Sequence, residues 1–284
     1  MRRAAFTVDV DRDVNVPVPG RREAMSQPRN GDGSPRFSSS ARGLVLLVEL
    51  LNELSIRGTF FLEAETARHI AGTVDLRRLL REHEIASHGL SHEDLTGAST
   101  GLPFTGSEAT DAVDLAADEI HRLTGRVPKG FRAPYQHVDD TIHRLLSDRG
   151  YLYDSSMTDD IRDRCIGPRP LPCGLTEFPL ARGIDARGKH IHSYFWPMHE
   201  GKRRPADYIH LLDQFDDGLM VLATHSWHVV ETYAGRLDDD QVAMKLGEIR
   251  AVLDGARDRG ITFTTLEEDV RRGAEDGRGA TGTV

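Results

Sequence analysis

The sequence predicts an α/β fold in which a single domain forms a (β/α) barrel. Predicted strands and helices alternate along nearly the whole chain, which indicates parallel strands covered by helices. The chain has 284 residues, enough for the one large domain that such a barrel requires. Polar side chains also recur just past the predicted strand ends, where the functional residues of barrels of this kind lie.

The individual elements follow from hydrophobic periodicity. Residues 4–11 alternate apolar and polar, which is typical of a strand and places Thr7, Asp9 and Asp11 on one face. A long loop over 15–38 precedes an amphipathic helix whose predicted N-cap is Ser39 or Ser40. The other predicted strands cover 58–62, 84–87, 130–131, 151–154, 175–179, 218–224 and 261–264. The other predicted helices cover 75–83, 107–123, a segment after 139, 205–215, 238–257 and 265–271.

Composition excludes several classes of protein. The formal charge of −9, with no run of five basic residues, argues against nucleic acid as a partner. The longest apolar run, 44–48, is far short of the roughly 20 residues that span a membrane. The first residues lack the apolar stretch of a signal peptide, so we expect a cytoplasmic protein without a membrane partner. In such a compartment Cys165 and Cys173 are predicted to be free thiols. Homo-oligomerisation is left open.

Residues with catalytic or metal-binding chemistry collect at the predicted strand ends. They are Asp9, Asp11, His88, His92, Arg132, Tyr135, Asp154 and His225. Because the carboxyl ends of barrel strands meet on one face, we expect these side chains to converge on one pocket.

Each short motif is ambiguous when taken alone. The histidine pair His88 and His92 is typical of surface or capping histidines as well as of metal sites. The Asp-x-Asp pattern of Asp9 and Asp11 fits a Mg or Mn site, a nucleotide-sugar transferase or two solvated carboxylates. In combination, one carboxylate and the two histidines form a set suited to a divalent ion with open positions, and the second carboxylate is free to act as a base.

Five runs of sequence, in this order, resemble the polysaccharide deacetylase family, the NodB homology domain of carbohydrate esterase family 4. The runs are 7–11, 58–62, 84–92, 130–135 and 151–156. The resemblance extends over residues 4–230, and the His-x-x-x-His box followed by Arg-x-Pro-Tyr is its most specific part. It implies a distorted (β/α) barrel and a metal-dependent hydrolase that removes N-acetyl groups from amino sugars or polysaccharides.

The resemblance also implies the metal ligands and the base. Asp11, His88 and His92 are expected to bind a divalent ion, Zn in the first instance, with Co, Ni or Mn as alternatives. Asp9 is expected to be the general base that takes a proton from the attacking water. Arg132 is expected to hold Asp9 ionised and oriented.

The remaining roles concern the leaving group and the oxyanion. The backbone N–H of Tyr135 is expected to stabilise the oxyanion. His225 is expected to be the general acid, with Asp154 as its partner carboxylate. Two alternatives stay open, namely Asp13 in place of Asp11 as ligand and His228 in place of His225 as acid.

The predicted domain organisation is a barrel over 1–272, with the 15–38 loop and an insertion at 160–205, followed by a disordered tail at 273–284. Tyr194 and Trp196 in the insertion are expected either to form a substrate-binding rim or to pack on the barrel. Glu93 and Asp94 are expected to be solvated loop charges.

The Asp-x-Asp pattern departs from the commonest family form, which has adjacent aspartates, and occurs in a divergent branch. We therefore keep a small amide beside a carbohydrate as the substrate, and an allantoinase-like ring amidohydrolase as an alternative function. A catalytically inactive carbohydrate-binding protein and an Asp-x-Asp glycosyltransferase are further alternatives from other classes.

Overall fold

The computed structural model describes the backbone of residues 1–280 and the side chains of residues 1–273. The strands are β1 (Arg2–Val10), β2 (Asn15–Val16), β3 (Met25–Ser26), β4 (Thr59–Leu62), β5 (Glu84–Ser87), β6 (Gly130–Phe131), β7 (Tyr153–Asp154), β8 (Thr158–Asp160), β9 (Cys165–Ile166), β10 (Arg169–Pro170), β11 (Thr176–Glu177), β12 (Leu180–Ile184), β13 (His190–His192), β14 (Asp217–His225), β15 (Glu231–Thr232), β16 (Gly235–Arg236) and β17 (Thr262–Phe263). The helices are α1 (Ser38–Glu53), α2 (Ala64–Ala71), α3 (Leu76–Leu79), α4 (Gly106–Thr124), α5 (Asp140–Asp148), α6 (Trp196–His199), α7 (Pro205–Leu212), α8 (Asp239–Asp258) and α9 (Leu266–Ala280).

The main sheet curls into a ring of parallel strand positions. Strands β7, β6, β5, β4, β1 and β14 are neighbours in that order, and each pair is parallel. Residues 176–184 close the ring, because β11 pairs with β7 at one end and β12 pairs with β14 at the other. The predicted (β/α) barrel is therefore confirmed. It is distorted, since one of its positions is shared by the two short strands β11 and β12.

The alternation along β1 sorts its side chains between two cores. Phe6 and Val8 belong to the large apolar layer between the strands and the surrounding helices. Ala5 belongs to a smaller cluster with Phe61 and Val221, formed by inward-pointing side chains of the ring strands. Since successive residues of a strand face opposite sides, Thr7 and Asp9 point into the barrel, as the sequence pattern predicted.

Helix α1 begins at Ser38, and its N-terminus is capped by a residue outside the helix. The Asp13 carboxylate accepts the Ser39 N–H at 3.0 Å and the Ser40 N–H at 2.7 Å. The predicted N-cap, Ser39 or Ser40, is therefore wrong. The Asp13 carboxylate, in the segment that follows β1, caps the helix instead. A negative charge is favourable at a helix N-terminus.

Two predicted boundaries in the second half of the chain differ from the structure. The predicted insertion 160–205 contains β12, which is part of the barrel ring. Its sequence, Leu-Ala-Arg-Gly-Ile, lacks the alternation that marks a strand. Near the C-terminus, α9 continues to Ala280, past the predicted tail boundary at 273, and residues 281–284 lie outside the described residues. Acidic residues in the first turn of α9 favour a helix there.

Two further observations concern the cysteines and the helices. Cys165 and Cys173 are both free, as predicted. Within residues 1–280, every helix is too short or too polar to cross a lipid bilayer.

We expect Gly43→Ala to lower the free energy of unfolding. A Cβ at Gly43 would lie 1.8 Å from the Ser226 carbonyl oxygen, where α1 packs against the segment that follows β14. Overpacking of this kind costs roughly 1–3 kcal/mol. The matched control is Gly247→Ala in α8, which meets nothing within 4 Å and should stabilise by up to about 1 kcal/mol. Urea denaturation measures both, and equal effects would contradict the close approach.

Candidate active site

The carboxyl ends of the barrel strands surround a cavity of about 430 Å³. It is lined by Asp9, Asn15, His88, His92, Ala133, Tyr135, Gln136, Leu180, His192, Tyr194, Trp196, Pro197 and His225. Five of the eight strand-end residues predicted from the sequence therefore meet in one pocket: Asp9, His88, His92, Tyr135 and His225. They come from the ends of β1, β5, β6 and β14, which shows why residues far apart in sequence lie together.

Asp11, His88 and His92 form a buried group with the donor set of a divalent metal site. One donor atom of each lies within 4.8 Å of the others, and Asp11 Oδ2 is 3.3 Å from His92 Nε2. His88 Nδ1 is 2.7 Å from the Arg132 carbonyl oxygen, which leaves Nε2 free for an ion. Asp11 Oδ1 is buried without a hydrogen-bond partner. An acceptor left unpaired in a buried site is what a cation would satisfy, so these residues fit a divalent ion.

The protonation states of the histidines also suit metal binding. Burial lowers the pKa of His88 and brings that of His92 to about 4, so both imidazoles are neutral at pH 7, as ligands must be. Burial raises the pKa of Asp11 to about 7. A nearby cation would offset this cost of burying the carboxylate.

Asp9 is held by two different donors. Arg132 Nη1 donates to Asp9 Oδ1 at 2.8 Å, and the Tyr194 hydroxyl donates to Oδ2 at 2.6 Å. Burial opposes ionisation of Asp9, yet Arg132, His88, His225 and the Tyr194 hydrogen bond together lower its pKa to about 2. Asp9 is thus a carboxylate throughout the neutral pH range.

Arg132 is fully buried and has its guanidinium fixed on several sides. Its Nε and Nη2 donate to the Ser155 carbonyl and hydroxyl, each at 2.8 Å, and Nη1 also donates to the Thr7 hydroxyl at 2.9 Å. The guanidinium carbon lies 4.2 Å from the centre of the Phe61 ring. With so many partners, Arg132 has little freedom to move away from Asp9.

Tyr135 stands at the edge of the cavity in an uncommon backbone conformation. Its φ of +58° is left-handed, in a short turn that follows β6. The ring packs edge-on against His92, with the ring centres 4.6 Å apart. Its expected role as the backbone donor to an oxyanion stays a prediction.

His225 reaches the cavity, but its predicted partner does not. His225 Nε2 is 3.8 Å from Asp11 Oδ2, and its Nδ1 is buried without a hydrogen-bond partner. Asp154 instead contacts His143 and accepts from the Ser156 hydroxyl. The predicted Asp154–His225 pair is wrong, because Tyr153 takes the inward position of β7 and the next residue points outward.

The two alternative site residues, His228 and Asp13, lie outside the cavity and the candidate metal-ligand group. His228 Nε2 lies 2.8 Å from Glu200 Oε1, and the His228 ring is buried against Trp227. It is not among the residues that line the cavity, whereas His225 is. Asp13 is occupied in capping α1 and is not part of the metal-ligand group found among the described residues.

Sequence reasoning missed a buried ion pair beside the candidate metal ligands. Arg12 binds Glu63 through its backbone N–H at 2.9 Å and through its guanidinium, which also donates to the Ser91 carbonyl at 2.7 Å. This arginine thus links the end of β1 to the loop that carries His92. The only signal in the sequence is its place between two aspartates.

The loop after β5 is also held by two carboxylates that we expected to be solvated. Glu93 accepts the Leu90 N–H at 2.9 Å and the Ser91 N–H at 2.6 Å. Asp94 accepts the Ser99 N–H at 2.6 Å. Both carboxylates are buried, so the expectation is wrong. They replace the backbone hydrogen bonds that an irregular loop cannot make with itself.

We expect Tyr194→Phe to reduce kcat while the protein stays folded. The hydroxyl is a neutral donor to the ionised Asp9, and such hydrogen bonds contribute about 1.5–3 kcal/mol. If that interaction orients Asp9 for reaction, its loss lowers kcat by roughly 10- to 100-fold. The control is Tyr208→Phe, whose hydroxyl donates to the Tyr194 carbonyl behind the cavity. Equal kcat values for Tyr194→Phe and the wild type would show that Asp9 needs only Arg132.

Comparison with known proteins finds similarity to one family. Residues 41–153 match the polysaccharide deacetylase family, a range that includes His88, His92 and Arg132 but begins after the two aspartates of β1. A peptidoglycan deacetylase-like protein of Gibberella zeae is 37% identical over 162 residues, which are 55% of this chain and 45% of that protein. The chain thus spans less than half the length of this curated relative.

Two solved structures show the same fold. A Mycobacterium smegmatis protein assigned to the polysaccharide deacetylases superposes with a TM-score of 0.63 at 23% identity, covering 95% of this chain and 88% of that one. A carbohydrate esterase family 4 pseudoenzyme of Bacillus anthracis superposes with a TM-score of 0.55 at 10% identity, covering 95% and 66% of the two chains. The resemblance found in the sequence is confirmed: the chain is similar to polysaccharide deacetylases over residues 41–153 and shares their fold.

Proposed function

We propose that this protein is a metal-dependent hydrolase that removes an acetyl group from an amino sugar or a related amide. The observation that carries this proposal is the position of Asp9 beside the Asp11, His88 and His92 group, on the wall of a cavity large enough for a small ligand. A hydrolase of this kind needs an ion site and a separate carboxylate within one pocket. Both are present.

Asp9 is the proposed base. Arg132 and Tyr194 fix both of its oxygens, so the carboxylate has a defined direction relative to the cavity. Its pKa of about 2 makes it a weak base towards ordinary water. A divalent ion bound by Asp11, His88 and His92 would polarise the substrate carbonyl and make an attacking water acidic enough for such a base.

His225 is the proposed acid for the leaving nitrogen. It lines the cavity close to Asp9 and Asp11. Burial lowers the pKa of His225, while Asp11 and Asp9 favour its protonated form. We therefore propose that Asp11 and Asp9, in place of Asp154, stabilise the protonated form of His225.

Zn²⁺ is the proposed ion, and the substrate is a carbohydrate or a small amide. Two histidines and one carboxylate are a common ligand set of catalytic zinc. On the side formed by the 160–205 segment, the cavity is lined by Tyr194 and Trp196, whose rings offer flat surfaces for a sugar. Of the two expectations for these aromatics, the cavity lining favours the substrate-binding rim.

The direct test is acetate release by the full chain. We expect N-acetylglucosamine oligomers to be deacetylated by Zn²⁺-loaded protein, activity to disappear on chelation and to return with Zn²⁺. Allantoin is assayed in parallel. Ring opening of allantoin without acetate release would favour the allantoinase-like alternative, and sugar binding without turnover of either substrate would favour the inactive carbohydrate-binding protein.

A further inference from the structure

A second cluster of ionisable side chains lies outside the cavity, where α5 packs on the barrel wall. It consists of His143 in α5, Asp154 in β7 and Glu177 in β11. All three side chains are buried, and one donor atom of each lies within 4.8 Å of the others. None of the steps proposed above uses this cluster.

The register of the strands brings the two carboxylates together. Asp154 and Glu177 are direct partners in the parallel pair of β7 and β11. Their neighbours Tyr153 and Phe178 belong to the interior core of the barrel. Asp154 and Glu177 therefore point outward, away from the cavity and towards α5.

The cluster brings two buried carboxyl groups together with a single histidine, and burial and the neighbouring Asp154 raise the pKa of Glu177. Asp154 accepts from the Ser156 hydroxyl at 2.7 Å and lies 3.2 Å from His143 Nε2. Glu177 Oε1 accepts the Met157 N–H at 2.9 Å, but Oε2 is buried without a partner. Among the described residues, no arginine or lysine forms an ion pair with either carboxylate, and the nearby Arg169 is paired with Asp159. A buried acceptor left in this state calls for a cation or a proton.

We propose that His143, Asp154 and Glu177 bind a second divalent cation of the zinc type, which ties α5 to the two strands where the barrel ring closes. Ligand atoms at zinc bond lengths in a tetrahedral site lie roughly 3.3–3.5 Å apart. The 3.2 Å between His143 Nε2 and Asp154 Oδ2 is close to this value and to the 3.3 Å between His92 Nε2 and Asp11 Oδ2.

A small cavity beside His143 is the side from which we expect the ion to reach the cluster. His143 lines a separate cavity of about 130 Å³ together with Asp140, Arg144, Leu171, Pro172 and Cys173. The cluster is on the opposite side of the barrel wall from the substrate cavity. The second ion therefore supports the structure and takes no part in the reaction.

Metal content tests the proposal without reference to activity. Purified chain is loaded with Zn²⁺, freed of loosely held ion by gel filtration and analysed for zinc per chain. We expect two equivalents in the wild type and one in Glu177→Gln and in His143→Gln. Exposed His190→Gln is the matched control and should retain two. Circular dichroism checks that each variant is folded, and Glu177→Gln keeps the shape of the side chain while removing its charge.

The outcomes separate this proposal from the proposed function. One equivalent in the wild type that is retained in Glu177→Gln would overturn the second site and leave a shared proton in its place. One equivalent that is lost in Glu177→Gln but kept in His88→Ala would support the second site and remove the basis of the proposed catalytic centre. As a second readout, Zn²⁺ should raise the Tm of His88→Ala but not that of His88→Ala combined with Glu177→Gln.

Discussion

Asp9→Asn is expected to lower kcat for acetate release by about 10²- to 10⁴-fold, the contribution typical of a positioned general base. The amide has the size of the carboxylate and still offers one oxygen to Arg132, so the cavity keeps its shape. It cannot take a proton from water at neutral pH. KM should change little, because Asp9 acts on the attacking water and not on substrate binding.

The metal content of Asp9→Asn shows whether the lower kcat comes from loss of a base or from loss of a metal ligand. Asp9 lies outside the group of proposed ligands, so the variant should hold as much Zn²⁺ as the wild type. The matched control is Asp269→Asn, since Asp269 is also a buried aspartate paired with an arginine, Arg3, but at the opposite end of β1. That variant should retain wild-type kcat. Loss of zinc together with activity in Asp9→Asn would mean that Asp9 is a ligand and that another group is the base.

The sequence predicts the inward face of the barrel well wherever a strand is long. Strand β1 has nine residues, and its alternation correctly assigns Thr7 and Asp9 to one side. The convergence of Asp9, His88 and His225 on one cavity also follows from the strand ends. Parallel strands with the same direction bring their carboxyl ends together, so a sequence pattern is sufficient for this part of the site.

The sequence pattern does not predict which way side chains point in very short strands, or which distant residues come into contact. Strand β7 has two residues, which is too few for a period, and a shift of one position turns Asp154 from the cavity to α5. Tyr194 reaches Asp9 from 185 residues further along the chain. Glu63 is paired with Arg12 across 51 residues. No local signal marks these contacts, because they depend on how separate elements pack.

Arg132→Met is expected to lower the free energy of unfolding by about 3–5 kcal/mol at pH 7, the usual cost of removing one partner of a buried ion pair. Methionine fills part of the space but donates no hydrogen bonds. Asp9 then remains buried with only the Tyr194 hydroxyl as a donor, and Ser155 and Thr7 lose theirs as well. Urea denaturation of the metal-free protein measures the effect.

The pH dependence of this loss and a double variant identify its cause. In the wild type, Arg132 helps to hold the pKa of Asp9 at about 2, below its ordinary 3.8, so the pair stabilises the fold above pH 4 and is lost only as the pH falls towards 2. In Arg132→Met, burial is no longer opposed by the arginine and raises the pKa of Asp9. A larger fraction of Asp9 is then protonated at pH 4 than in the wild type, so the stability difference from the wild type should be smaller at pH 4 than at pH 7. Asp9→Asn combined with Arg132→Met removes both charges. The double variant should lose less free energy of unfolding than the two single variants lose when their losses are added. Two results together would contradict this explanation: the same loss of unfolding free energy in Arg132→Met at pH 4 and pH 7, and additive losses in the double variant. They would mean that Asp9 is not a buried charge that depends on Arg132.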